Sequence, residues 1–152
     1  MLSFLATFSP GDRVALPSPG YPCYRHIPKA LGCEPVPIAT TAETRWTPTP
    51  ALIDEALKGG PLKGLLVASP NNPTGTAVSP AALEAFVRRL SPEPLLVLDE
   101  AYWEFLPEQE RPPSLEWVRE GRRCFLLRTF SKIYGLAGLR VGYGVGPPEL
   151  ID

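Results

Sequence analysis

The sequence predicts an α/β domain of three layers, a mostly parallel sheet covered by helices on both faces. Short apolar, β-rich runs alternate along the chain with segments of helical periodicity. Such alternation is typical of parallel strands joined by crossover helices, which then cover both faces of the sheet. A length of 152 residues with 44% hydrophobic content suffices for one sizeable core but is too short for two ordinary domains. We therefore expect a single domain.

Six short apolar runs are interpreted as strands. They span residues 13–16, 35–38, 64–68, 95–98, 124–127 and 141–145. The twenty prolines are spread between these runs and form no low-complexity tract, so they mark the boundaries of elements. No internal repeat or linker interrupts the series.

Four segments between the strands have helical patterns. They span residues 24–31, 50–57, 80–90 and 113–120. Three of these segments open on proline, which suits the first helical position because the N–H that proline lacks has no intrahelical partner there. Thr47 and Thr49 are candidate caps for the second helix, and Ser79 precedes the third.

Charge and cysteine usage exclude several classes of protein. A formal net charge of −1 predicts no electrostatic surface for nucleic acid or for an anionic membrane. The cysteines Cys23, Cys33 and Cys124 are odd in number and lie in no C-x-x-C pair, which argues against a disulfide framework or a zinc site. His26 is the one histidine, so a histidine-rich metal site is excluded as well.

We do not expect the opening segment to act as a targeting signal. Residues 1–8 are apolar, but they lack a basic leader and are too short to span a bilayer. They run directly into a turn sequence at residues 9–12. We therefore expect a cytoplasmic protein.

Side chains suited to ligand binding follow four of the predicted strands. They are Tyr21 after the first strand, Asn72 after the third, Asp99 and Tyr102 after the fourth, and residues 129–132 after the fifth. In open α/β sheets, ligands bind at the carboxyl ends of the strands. We therefore expect these side chains to meet at one edge of the sheet.

The stretch Thr129-Phe130-Ser131-Lys132, with Arg140 eight residues later, predicts a site for a phosphorylated cofactor. A lysine can form a Schiff base with such a cofactor and then act as both acid and base. The two hydroxyls and the guanidinium of Arg140 are suited to grip a phosphate, and glycines at positions 135 and 138 would allow close backbone approach. Each residue alone is typical of a turn or a solvated surface, but their spacing favours the site.

Two further motifs, Asn71-Asn72-Pro73-Thr74-Gly75 and Asp99-Glu100-Ala101-Tyr102, accompany this stretch. Together the three resemble the pyridoxal-phosphate-dependent aminotransferases of classes I and II, over roughly residues 8–150. Segments 99–105 and 128–142 look most like histidinol-phosphate aminotransferase, whereas segment 19–24 looks more like the broader aspartate-type enzymes. The resemblance implies pyridoxal 5'-phosphate as cofactor, the large-domain fold of fold type I, and Lys132 as the catalytic residue.

In such a site, Asp99 would keep the pyridine nitrogen of the cofactor protonated, which strengthens the ring as an electron sink. Two other interpretations are open. An aspartate that ends a buried strand often caps the next helix. Residues 95–100 also look like the Walker B strand of an ATPase, but that interpretation requires a G-x-x-x-x-G-K-[ST] loop, and residues 59–64 do not supply one.

Three more side chains complete the expected cofactor site. Asn72 and Tyr102 would donate hydrogen bonds to the phenolic oxygen of the cofactor and so stabilise its anionic form. Tyr21 is suited to stack on the pyridine face, with a packed loop aromatic as the alternative. Tyr24 is interpreted as structural.

The resemblance also carries expectations about extent. Family members are much longer, begin with a segment that carries a phosphate-binding loop, end with a small domain whose arginine holds the substrate carboxylate, and act as homodimers. We therefore expect residues 1–152 to form a partial large domain that starts inside a helix and lacks both the N-terminal segment and the small C-terminal domain.

The implied activity is transfer of an amino group between an amino acid and a 2-oxo acid, as in amino-acid biosynthesis. Two alternatives are open. A related decarboxylase that acts on a phosphorylated amino acid shares the same lysine region, so these motifs do not fix the reaction type. The chain by itself is alternatively a non-catalytic fragment that binds the cofactor weakly or pairs with another chain.

Overall fold

The computed structural model, which describes residues 2–90 and 93–150, has a six-stranded sheet within those ranges. The strands are β1 (Arg13–Ser18), β2 (Glu34–Ala39), β3 (Gly64–Ala68), β4 (Leu95–Asp99), β5 (Cys124–Thr129) and β6 (Gly142–Val145). Their order across the sheet is β2-β1-β3-β4-β5-β6. The first five are parallel to their neighbours, and β6 runs antiparallel to β5. The predicted α/β fold with a mostly parallel sheet is confirmed.

Helices occupy the connections between the strands. The helices are α1 (Leu2–Thr7), α2 (Cys23–Ala30), α3 (Pro50–Leu57), α4 (Pro80–Arg89) and α5 (Ser114–Arg119). The four helices predicted from the pattern are confirmed, with ends that shift by one residue in three of them. Helix α1 is not among the predicted helices, because a six-residue segment is too short to show a helical period.

The caps of the two proline-initiated helices are local hydrogen bonds from backbone to side chain. The Oγ1 of Thr49 accepts a hydrogen bond from the Leu52 N–H at 3.4 Å, so Thr49, and not Thr47, caps α3. The Ser79 hydroxyl caps α4 by accepting from the Ala82 N–H at 3.3 Å. These contacts satisfy N–H groups that have no partner inside the helix.

Both faces of the sheet are covered, as predicted. On one face, α3, α4 and α5 pack against the strands through Ile53, Leu83 and Trp117. On the other face, α1 and α2 pack through Phe4 and Ile27. The central strands are therefore buried on both sides, which explains why their sequences are continuous apolar runs instead of alternating patterns.

Beyond β5 the chain is much less covered. The large apolar side chains of this segment that are more than two fifths exposed are Ile133, Tyr134, Leu136, Leu139, Val141 and Tyr143. They lie in residues 133–143, immediately before and within the edge strand β6. Apolar side chains are thus exposed along this segment, in contrast to the buried strands β3 and β4.

The residues that the structure describes contain no candidate metal site and no membrane-spanning helix. Cys23, Cys33 and Cys124 are free thiols. Within residues 2–90 and 93–150, no three histidine, cysteine, aspartate or glutamate side chains converge as metal ligands. In the same ranges, no helix has the length and hydrophobicity needed to cross a membrane.

The contact of Phe8 with β3 generates a prediction about stability. A Cβ added at Gly64 would overlap the ring of Phe8, which is buried, and would lie 3.3 Å from Val14 Cγ1. We expect Gly64→Ala to lower the free energy of unfolding by about 1–3 kcal/mol through overpacking. Urea denaturation measures the effect.

The matched control is Gly138→Ala, because a Cβ there meets no atom within 4 Å. It should leave stability within about 0.5 kcal/mol of the parent chain. A Phe8→Leu change added to Gly64→Ala should recover part of the loss. Equal stability of Gly64→Ala and Gly138→Ala would show that Phe8 does not pack on β3 as described.

Candidate cofactor site

The carboxyl ends of β1, β3, β4 and β5 lie at the same edge of the sheet, because these strands are parallel. Tyr21 lies three residues after β1 and Asn72 four residues after β3. Asp99 and Thr129 are the last residues of β4 and β5, so each strand extends further than the predicted apolar run. The topology thus brings these residues to one edge, as expected.

Asp99 is a mostly buried carboxylate held by two hydrogen bonds. Its Oδ2 accepts from the Tyr24 hydroxyl at 2.7 Å, and its Oδ1 accepts from the Ala101 N–H at 2.9 Å. The second bond forms a local turn of the kind expected from a capping residue, although the segment that follows is a 3₁₀ turn at Trp103–Phe105. Burial raises the pKa of Asp99, opposed by the Tyr24 and Ala101 hydrogen bonds and by the charge of Lys132.

Tyr24, for which the sequence predicts a structural role, contacts the candidate site directly. Its hydroxyl donates to Asp99 across 75 residues of chain, and its ring contacts Tyr21 at a centroid distance of 5.7 Å. Burial, followed by the neighbouring Asp99 carboxylate, raises the pKa of Tyr24 far above its usual value, so the hydroxyl stays a donor. The sequence feature that could have indicated this contact is the position of Tyr24 three residues after Tyr21, a separation of about one helical turn.

Lys132 lies beside the residues that follow β3 and β4. Its Nζ is 5.0 Å from the centroid of the Tyr102 ring. The Tyr102 hydroxyl in turn accepts a hydrogen bond from Asn72 Nδ2 at 3.4 Å. The ammonium group also acts electrostatically on Asp99 and Tyr21, lowering the pKa of each against other effects that raise it. The structure thus brings Lys132, Tyr102, Asn72, Asp99 and Tyr21 into one neighbourhood.

Local hydrogen bonds between side chains and backbone hold the segment after β5. The Thr129 Oγ1 accepts from the Ser131 N–H at 3.0 Å. Arg140 is exposed, has a left-handed backbone with φ of 53°, and donates from Nη1 to the Ala137 carbonyl at 2.9 Å. A hydrogen bond with Cys23 raises the pKa of Tyr21, and the charges of Lys132 and Arg140 oppose this rise.

The two glycines predicted to allow close approach differ from each other. Gly135 has a φ of 68°, a conformation that residues with a side chain rarely adopt, and it is required there for the turn. Gly138 has ordinary backbone angles, and a Cβ at either position would meet no protein atom within 4 Å. Of the two, only Gly135 is explained by the protein's own conformation.

The donor set fits pyridoxal 5'-phosphate. A buried carboxylate whose pKa is raised would be stabilised by a protonated pyridine nitrogen, which supplies the cation that burial denies it. Asn72 and Tyr102 are donors for a phenolic oxygen, and Lys132 supplies an amine. The hydroxyls and the guanidinium suited to a phosphate belong to Thr129, Ser131 and Arg140.

Comparison with known proteins gives a consistent result. The family model for aminotransferase class I and II matches residues 1–152. Valine–pyruvate aminotransferase of Mycobacterium tuberculosis is 41% identical over 151 residues, 99% of this chain and 38% of that protein. Histidinol-phosphate aminotransferase of Moorella thermoacetica is 40% identical over 152 residues, 94% of this chain and 36% of that protein.

Solved structures of similar proteins agree with this result. The crystal structure of an aminotransferase from Mycobacterium tuberculosis matches with a TM-score of 0.85 at 41% identity, covering 98% of this chain and 40% of that one. Histidinol-phosphate aminotransferase from Sinorhizobium meliloti, in complex with pyridoxal 5'-phosphate, matches with a TM-score of 0.79 at 31% identity, covering 97% of this chain and 39% of that one.

This chain spans about two fifths of the length of these relatives. The match nevertheless covers nearly the whole of this chain, and the family model covers all three motifs. The chain belongs to the class I and II aminotransferases.

Proposed function

We propose that this chain is a partial cofactor-binding large domain of a pyridoxal-phosphate-dependent aminotransferase that transfers an amino group between an amino acid and a 2-oxo acid. One observation carries the proposal: Lys132, whose Nζ lies 5.0 Å from the centroid of the Tyr102 ring, is close enough to the mostly buried carboxylate of Asp99 to act on it electrostatically. Those are the two groups that an amine-transfer site on this cofactor needs.

Bound pyridoxal 5'-phosphate supplies a pyridine ring that withdraws electrons from the α-carbon of the substrate. Asp99 holds a proton at the pyridine nitrogen, oriented by the Tyr24 hydroxyl on Oδ2. Asn72 and Tyr102, already hydrogen-bonded to each other, donate to the phenolic oxygen. Tyr21 covers the ring face from the β1 side.

Lys132 has two roles in this proposal. Its Nζ would hold pyridoxal 5'-phosphate through its amine group. As a free amine, the same Nζ would accept a proton from the substrate α-carbon and return it. Tyr102, 5.0 Å from Nζ, positions the amine through its ring face. Thr129, Ser131 and Arg140 bind the phosphate and so fix the ring relative to Nζ.

The relatives support transamination over the alternative decarboxylation, because the matched proteins are valine–pyruvate, histidinol-phosphate and aromatic amino acid aminotransferases. The substrates in these names differ, so the relatives support the reaction type and not one particular amino acid. We propose a cytoplasmic homodimer with a role in amino-acid biosynthesis.

Reductive labelling tests the assignment of Lys132. The purified chain is mixed with pyridoxal 5'-phosphate, reduced with borohydride and digested, and the modified peptide is identified by mass spectrometry. We expect label on Lys132, loss of that label in Lys132→Ala, and no loss in the matched variant Lys63→Ala. Label spread over Lys29, Lys58 and Lys63, or no label, would contradict cofactor binding by this chain.

A second prediction concerns the pH dependence of stability. Because the pKa of Asp99 is raised in the folded chain, folding favours its protonated form. Its stabilising contribution is therefore present at low pH and is lost as pH rises from the unfolded value of about 3.9 through the raised folded value. In Asp99→Asn this loss is absent, so the free energy of unfolding of the cofactor-free variant, relative to the parent, should rise with pH over this range and then stay constant.

Urea denaturation at a series of pH values without cofactor measures this difference. The exposed Asp54→Asn is the matched control and should show no such rise. Asp99→Asn should also bind pyridoxal 5'-phosphate more weakly by about 2–5 kcal/mol, because it removes one partner of a buried charge pair. A stability difference between Asp99→Asn and the parent that does not change with pH would show that burial does not raise the pKa of Asp99.

A third prediction concerns Tyr24. Removing its hydroxyl in Tyr24→Phe leaves the buried Oδ2 of Asp99 without that donor, which should lower the free energy of unfolding by about 1–3 kcal/mol near neutral pH. The matched control, Tyr21→Phe, alters an exposed residue and should be neutral. In an Asp99→Asn background the effect of Tyr24→Phe should shrink; an unchanged effect would show that Tyr24 acts by packing alone.

A further inference from the structure

Arg128 is a buried arginine next to the proposed phosphate subsite, and no step of the proposed chemistry uses it. It precedes Thr129 near the end of β5, and its side chain is 9% exposed. Its Nε donates to Oε2 of Glu100 at 2.8 Å, and Glu100 is 0% exposed. Among the ion pairs of residues 2–90 and 93–150, this is the one in which both side chains are less than a tenth exposed.

The same guanidinium lies over an aromatic ring. The Cζ of Arg128 is 4.1 Å from the centroid of the Trp103 ring. Arg111 lies over this ring as well, at 4.8 Å, but it donates to the carbonyls of Glu104 and Leu106 within its own segment. Arg128 therefore bridges two segments, whereas Arg111 ties one segment to itself.

Arg128 also donates from Nη2 to the Ser114 hydroxyl at 3.5 Å, but its partners after β4, Glu100 and Trp103, have a common feature in the sequence. Glu100 follows Asp99 directly, Trp103 follows Tyr102 directly, and Arg128 directly precedes Thr129. Arg128, Glu100 and Trp103 are thus each the chain neighbour of a residue proposed to hold the cofactor. The ion pair and the stacked contact link the end of β5 to the segment after β4, in addition to the backbone hydrogen bond that the Glu100 N–H donates to the Leu127 carbonyl at 2.9 Å.

A contribution to overall stability is a weak explanation for this arrangement. Removing two charges from water costs about as much as a buried ion pair returns, so apolar residues of similar volume commonly serve stability as well or better. What an ion pair with a planar, stacked guanidinium provides in addition is a defined geometry.

We propose that Arg128 is a positioning residue that fixes residues 129–132 against residues 99–102 through Glu100 and Trp103, and so sets the distance between the phosphate and ring subsites. Its effect on the cofactor rests on the proposed function. Its effect on the two segments is a property of the chain without cofactor.

Amide hydrogen exchange on the cofactor-free chain tests the proposal. The reporters are the N–H groups of Phe130 and Ser131, which donate to the Val141 carbonyl and to Thr129 Oγ1. The amide of Leu66, in the fully buried centre of β3, reports global stability. Arg128→Lys keeps the charge but lacks the planar group over Trp103, and should raise exchange of the reporters about tenfold with little change at Leu66.

Two further variants keep the test decisive if a lone change unfolds the chain. Glu100→Gln with Arg128→Met removes both charges together, so no buried charge is left unpaired, and it should loosen the reporters as Arg128→Lys does. Arg111→Lys is the matched control at the same ring, and it should leave Phe130 and Ser131 unchanged. Unchanged reporters in the Arg128 variants, or an equal rise at Leu66, would overturn the proposal.

Cofactor binding provides the second readout. If the parent chain takes label at Lys132, the Arg128 variants should bind pyridoxal 5'-phosphate about tenfold more weakly while the label stays on Lys132. Unchanged affinity would overturn the effect on the cofactor site. If the parent chain takes no label, the proposed function fails for this chain, and the exchange experiment still decides whether Arg128 positions the two segments.

Discussion

The parallel register of β3, β4 and β5 is the constraint on which the candidate site depends. Ala68 pairs with Asp99, and Asp99 pairs with Leu127, so the three strands end within a few residues of the same level. Neighbouring residues within a strand serve opposite faces, as Leu65 and Leu66 do in the two core clusters. A slip of one residue would move each set to the wrong face, so the packing of the core also fixes which side chains reach the sheet edge.

This edge of the sheet carries two carboxylates, Asp99 and Glu100, and burial disfavours their charged forms. Burial raises the pKa of Asp99 and that of Glu100, and in each case hydrogen bonds and a nearby cation only partly offset the burial. Two consecutive carboxylates at the end of a buried strand are an unfavourable choice for folding alone. Their presence is explained if Asp99 binds a cationic ligand, because Glu100 already pairs with Arg128 and each carboxylate then has a partner of opposite charge.

The sequence predicts the fold well because its strongest signals are local. Apolar runs and proline boundaries locate all six strands, and in β3 and β4 the run is continuous because buried parallel strands need no polar face. Strand ends are less predictable: Ser18 and Thr129 continue the ladder through backbone hydrogen bonds, which do not depend on an apolar side chain. Helix α1 escapes prediction because packing of Phe4 on the sheet, and not a local period, stabilises it.

The candidate site is also predictable only in part, because some of its residues stand in local patterns and others depend on distant partners. Lys132, Asp99 and Tyr102 stand in recognisable spacings, so the order of these residue types along the chain is enough to indicate a chemistry. The roles of Tyr24 and Arg128 depend on partners 75 and 28 residues away in the chain, and no local pattern encodes such contacts.

The two halves of the site also differ in how they are supported. Asp99 and Glu100 are held at the end of the buried sheet, whereas Arg140 lies in a segment whose apolar side chains are exposed. The part of the site that would hold the pyridine ring therefore rests on the buried strands of the sheet. The contact of Arg128 with Glu100 and Trp103 is the means by which the rigidity of that half extends to residues 129–132.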